Sequence, residues 1–181
     1  MNTRLALTTL LILSIKGYAQ KIEYSLSTQG DTTKNYYVTV FPRGELKGLI
    51  VLLPGFGELP KETLLETDIC KHASQAGHMT VIPALGDWSF FYIDGDSHQK
   101  LNKFLNDVFI KYKLSGKPFF IGGHSLGGTM AMQYTQRAYS GNSTLRKPRA
   151  VFALDPPLDI ERLYHCMTTT NRPKKNPVSV Q

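Results

Sequence analysis

Gly123-His124-Ser125-Leu126-Gly127 is the stretch of this chain best suited to chemistry. It is a G-x-S-x-G pentapeptide, placed after the apolar run Phe119-Phe120-Ile121 and before a helix-like segment, Thr129 to Tyr139. A serine on a sharp strand-to-helix turn has its hydroxyl lifted above the end of a sheet, where it can act as a nucleophile. Glycines on both sides suit such an elbow, because a Cβ there collides with the neighbouring strand or helix. The helix that follows aims free N–H groups at the same spot, where developing negative charge can be held. The competing reading is an ordinary glycine-rich turn.

The elements around the motif alternate. Ile22 to Thr28 and Tyr36 to Phe41 read as two strands joined by a Gly30-Asp31 turn. Gly48 to Leu53 is a continuous apolar run ending at Pro54-Gly55, as suits a strand buried on both faces of a parallel sheet. Lys61 to Ala76 reads as one helix with Leu65, Ile69, Ala73 and Ala76 on its stripe and Gly77 as its stop. Thr80 to Pro83 is a short strand, and Ala84 to Gly95 a loop holding Trp88, Phe90, Phe91 and Tyr92. Those aromatics read as core or as the lining of an acyl or aryl pocket. Asp96 or Ser97 caps a helix running to Tyr112, with Leu101, Phe104, Leu105, Val108, Phe109 and Tyr112 on one face. Ala150 to Leu154 is the next apolar strand, stopped by Asp155-Pro156-Pro157. This alternation predicts an α/β fold, a mainly parallel sheet flanked by helices on both faces.

Three landmarks resemble the α/β-hydrolase fold: an apolar strand followed by Pro54-Gly55-Phe56-Gly57, then the elbow of Gly123, His124, Ser125 and Gly127, then a strand ending in Asp155. The resemblance covers roughly residues 22 to 165. It implies that Ser125 attacks an ester or similar acyl carbonyl. It also implies an oxyanion hole made by the N–H of Leu126 and that of Phe56 or Gly57. Asp155 is then either the family's acid in a variant place or a turn acid before two prolines.

The family's order is Ser, then Asp or Glu, then His after further strands. Only 26 residues follow Asp155, so the final strands and the distal histidine are expected to be missing. His165 reads as a solvated helix residue, and His124 as packing beneath the turn. His72, His78 and His98 read as structural or exposed. From Cys166 the chain becomes a tail without periodicity or acids, as a truncated gene would leave it.

Met1 to Ala19 reads as a signal peptide: a basic start, an apolar run from Leu5 to Ile15 too short to span a bilayer, and a cut after Ala19. The expected organisation is therefore 1–19 leader, 20–165 hydrolase domain and 166–181 basic tail, in a secreted or periplasmic protein. The formal charge of +7 is carried by the ends. Setting aside Arg4, Lys16, Arg172, Lys174 and Lys175 leaves sixteen Lys and Arg against fourteen acids, a net +2. No basic face argues for nucleic acid. Cys70 and Cys166 have no metal-ligand spacing with a histidine pair, and two unpaired thiols are favoured over a disulfide. The expected partner is a small-molecule ester or acyl substrate, with no metal or cofactor. The rival reading is a non-catalytic domain that keeps the fold.

Overall fold

The computed structural model describes residues 20–26, 36–84, 97–159, 161–162, 165–166 and 168. The leader, the Gly30-Asp31 turn, Trp88 to Tyr92, the Asp96 cap and the tail from residue 169 lie outside the described residues.

Six strands form one sheet in the order β1-β2-β4-β3-β5-β6. They are β1 (Ile22–Leu26), β2 (Tyr36–Val40), β3 (Gly48–Leu53), β4 (His78–Pro83), β5 (Phe119–His124) and β6 (Ala150–Leu154). The pairs of β3 with β4, β3 with β5 and β5 with β6 are parallel; β2 runs against both its neighbours. The expected mainly parallel sheet with helices on both faces is therefore present. β3, at the centre, is apolar throughout because both of its faces are covered.

Alternation along the strands feeds two cores. Tyr37, Leu49, Val51, Leu53, Met79, Val81, Phe119 and Ile121 point to one face. There they meet Leu101, Phe104, Leu105, Val108 and Phe109 of α3 (Ser97–Lys111) and Met130, Ala131 and Tyr134 of α4 (Leu126–Tyr139). Val38, Val40, Leu52 and Ile82 point to the other face, beneath Cys70. Two-residue periodicity in the strands and the 3.6-residue stripe of α3 thus interlock as the sequence anticipates.

The single helix expected over 61–76 is two helices. α1 (Pro60–Glu66) opens on proline, whose missing N–H costs nothing in a first turn, and the Glu62 carboxylate accepts the Leu59 N–H at 2.7 Å. Thr67 is then extended, with φ −138° and ψ 142°, and its hydroxyl accepts the Ile69 N–H at 3.2 Å. α2 (Ile69–Gln75) starts afresh. A threonine that bonds local backbone competes with the helix, and here it wins. The break leaves Leu65 75% exposed and lowers Cys70, Ala73 and Ser74 onto the sheet, so the expected four-residue stripe does not form. Gly77 closes α2 at φ +89° as anticipated.

The loop between α4 and β6 is tied down by polar groups. Tyr134, fully buried, donates its hydroxyl to the Arg146 carbonyl at 2.9 Å and lies 3.1 Å from Asn102 Oδ1. Arg146 stacks 3.9 Å over the Phe109 ring and donates to Asn106 Oδ1. These contacts fix where β6 begins, and hence where its far end meets β5.

Candidate active site

The parallel register sets Ser125 and Asp155 side by side. His124 at the end of β5 is level with Leu154 at the end of β6, so the next residue of each strand leaves the sheet at the same height. Ser125 N–H donates to the Leu154 carbonyl at 2.9 Å. Both residues take positive φ, 51° for Ser125 and 49° for Asp155. Left-handed backbone at non-glycine residues costs about 1–3 kcal/mol each and persists where the surroundings dictate it.

The glycines show what dictates it. A Cβ on Gly123 would lie 2.5 Å from the Leu53 carbonyl oxygen and 2.6 Å from the Gly127 carbonyl carbon. One on Gly127 would overlap the carbonyl oxygens of Leu53 and Pro54. The start of α4 is thus pressed against the end of β3. This close approach brings Pro54, where the loop after β3 begins, beside the helix N-terminus. Gly122, one residue earlier, lies flat under the Phe152 ring, which a Cβ would overlap.

The N-terminus of α4 presents unbonded donors. Thr129 N–H is the first to find a carbonyl, that of Ser125 at 3.2 Å, which leaves Leu126 N–H without an intrahelical partner. In the loop after β3, Gly57 has φ +77° with open space where a side chain would be, and Phe56 is 63% exposed. Glu58 shapes this loop, a role the sequence reading missed. Its carboxylate accepts the Gly55 N–H at 2.6 Å, and its own N–H donates back to the Gly55 carbonyl at 3.3 Å. An acid three residues after a glycine is the only sequence signal for that closure, and it is a weak one.

The histidines take several environments. His124 does not pack beneath the turn. It is exposed, its Nδ1 faces Gly55, and it lines a cavity of about 210 Å³ with Leu52, Glu58, Thr63, Glu66 and Leu154. His98 is buried rather than exposed, held by Arg137 at 2.9 Å. His78 stands at the start of β4 with its ring edge-on to Phe120, and His72 lies on α2. His165 is exposed in a helical stretch, 3.9 Å from Glu161. All five belong to the described residues, and none is hydrogen-bonded to Ser125. No cluster of histidine, cysteine or acidic residues suited to a metal occurs among the described residues. Cys70 is buried and Cys166 exposed, with no disulfide between them.

No family model matches this chain, nor does any curated protein. Solved structures do match. S-formylglutathione hydrolase from Staphylococcus aureus superposes with a TM-score of 0.62 at 17% identity, over 81% of this chain and 63% of that one. A putative thioesterase from a Silicibacter species gives 0.59 at 17% identity, over 82% and 55%. A carboxyl esterase from Bacillus coagulans gives 0.54 at 16% identity, over 83% and 50%. The chain spans between 50% and 63% of the length of these three structures. The sheet order, the flanking helices and these neighbours give the chain an α/β-hydrolase fold.

Proposed function

We propose that this chain is a serine hydrolase acting on carboxylic esters or related acyl compounds, with Ser125 as nucleophile. The observation that carries the reading is the backbone of Ser125, φ 51° and ψ −127°, held between β5 and α4 by glycines that admit no side chain. The structural neighbours, named as esterases, a thioesterase and S-formylglutathione hydrolases, support the same chemistry. In the proposed reaction Ser125 Oγ adds to the acyl carbon and its carbonyl oxygen becomes an oxyanion. Leu126 N–H and the N–H of Phe56 or Gly57 receive that charge. The alcohol leaves as the acyl-enzyme forms, and water releases the acid. One such donor is worth about 3–4 kcal/mol, because it meets charge only in the transition state. Asp155, level with Ser125, is the candidate acid to orient a base. The chemistry asks for no metal or cofactor.

The second reading, a non-catalytic domain that keeps the fold, rests on the histidines. The serine proton needs an acceptor, and none of the five is bonded to Ser125. Loss of a triad member costs about 10⁴- to 10⁶-fold in rate. A fluorophosphonate probe separates the two readings. Adduct on Ser125, abolished by Ser125→Ala and accompanied by hydrolysis of short p-nitrophenyl esters, supports the enzyme. An unlabelled Ser125 in folded protein supports the non-catalytic domain. We also propose export, on the basic start and apolar run before Ala19-Gln20. Mature protein recovered from its host should begin near Gln20, and an intact Met1 would refute it. Among the described residues no helix is long and apolar enough to cross a membrane.

A further inference from the structure

At the foot of β5 and β6, the end of the sheet away from Ser125, the α3–β5 and α4–β6 loops border a hollow of about 490 Å³. Its walls carry Lys117, Arg146, Lys147 and Arg149 and no acid. Among the described residues none of these four is ion-paired. The chain beyond Glu161 supplies no acidic side chain to them either; Arg172, Lys174 and Lys175 only add positive charge. Between the basic ends, sixteen Lys and Arg stand against fourteen acids, so four cations around one hollow are a local excess.

These cations stand on fixed backbone. Arg146 N–H donates to Asn102 Oδ1 at 2.8 Å, and Arg149 N–H to the Phe119 carbonyl at 2.7 Å. Between them the Pro148 carbonyl accepts the Tyr139 hydroxyl at 2.7 Å. The Arg146 guanidinium is itself held, 3.9 Å over the Phe109 ring, with Nε and Nη2 donating to Asn106 Oδ1 at 3.2 and 2.8 Å. Its Nη1 has no acceptor among the described residues, which leaves two N–H groups to bind. Like charges gathered on a rigid frame repel one another in the empty protein, and an anion relieves that repulsion. A carboxylate brings one negative charge. A phosphate monoester brings about two, and its oxygens suit a guanidinium fork flanked by ammonium groups. We propose that this hollow is a binding site for a phosphate-bearing molecule. The length of β5, about 17 Å, separates it from the elbow, and the proposal does not depend on the hydrolase reading.

The test is calorimetric titration of the folded protein with glycerol phosphate and with inorganic phosphate, chloride holding the ionic strength constant. Sedimentation with phosphatidylcholine vesicles, with and without phosphatidic acid, runs in parallel. Saturable binding with a Kd of about 1 mM or tighter is expected, and sodium acetate should not reproduce it. Binding of the soluble phosphates alone marks a free ester as the source, and binding of phosphatidic acid vesicles alone marks a lipid headgroup; either supports the site. Lys147 and Arg149 are exposed, so Lys147→Glu and Arg149→Glu should fold, and each should weaken binding about tenfold. Arg146→Lys keeps the charge but loses the fork, and should also weaken it. Lys71→Glu, on α2 and outside the hollow, changes the net charge by as much as Lys147→Glu and should leave binding unchanged. No saturable binding of any of these phosphates would overturn the proposal, as would equal binding of acetate. So would equal weakening by Lys71→Glu and Lys147→Glu, which would make the attraction one of net charge alone.

Discussion

Acidification should weaken this fold through one buried imidazole, His98. Arg137 Nη1 lies 2.9 Å from His98 Nδ1. Arginine can only donate, so Nδ1 accepts and the ring proton sits on Nε2, which is buried without a hydrogen-bond partner. The ring stacks on Tyr134 at 6.4 Å and is only 5% exposed. Protonation would place a second cation against the guanidinium, out of water. Burial first and Arg137 second push the histidine down to about 4. A folded-state value below the unfolded one of about 6.5 means stability is fully present above that pH and is lost as pH falls toward about 4. At about 1.4 kcal/mol per pH unit the whole window is worth about 3 kcal/mol, and the fall from about pH 7 to about pH 4.5 about 2 kcal/mol. The assay is urea unfolding at both pH values for the wild type and for His98→Gln, whose amide oxygen can accept from Arg137 and does not titrate. Titrating carboxylates cancel in the comparison. The variant should start less stable yet lose about 2 kcal/mol less on acidification. Equal losses in both proteins, or an NMR titration of His98 near its ordinary value, would refute the reasoning.

Three further outcomes are expected. Gly123→Ala forces a methyl group against the Leu53 carbonyl and should cost about 1–3 kcal/mol in urea unfolding, with loss of any fluorophosphonate adduct; a neutral result would mean that the elbow is loose. Tyr134→Phe removes the hydroxyl bonded to the Arg146 carbonyl and should cost about 1–3 kcal/mol, so a change within error would show that water replaces it. The Cys70 thiol, pushed up to about 11 chiefly by burial, should resist iodoacetamide in the native protein while exposed Cys166 reacts; equal rates would contradict the packing of α2.

The local units were legible because each is set by nearby residues. The run from Gly48 to Leu53, the stripe of α3, and the glycines around Ser125 each announce an element through periodicity or through a backbone that only glycine allows. The elbow was legible for the same reason: its constraint lies within five residues. The broken helix was not, since a threonine hydroxyl turning on its own backbone leaves no mark that tells it from a threonine inside a helix. Only tertiary structure decided the rest. Register between β5 and β6, two strands separated by a helix and a loop, is what sets Asp155 level with Ser125. Contact between α4 and β3 is what presses Leu53 and Pro54 against the helix N-terminus. The fates of His98 and His124 were fixed by tertiary neighbours: α4 and its Arg137 bury the first, and the second is left exposed on a cavity that it shares with Thr63 and Glu66 of α1. Burial and register are properties of neighbours far away in sequence, and a pattern read along the chain does not contain them.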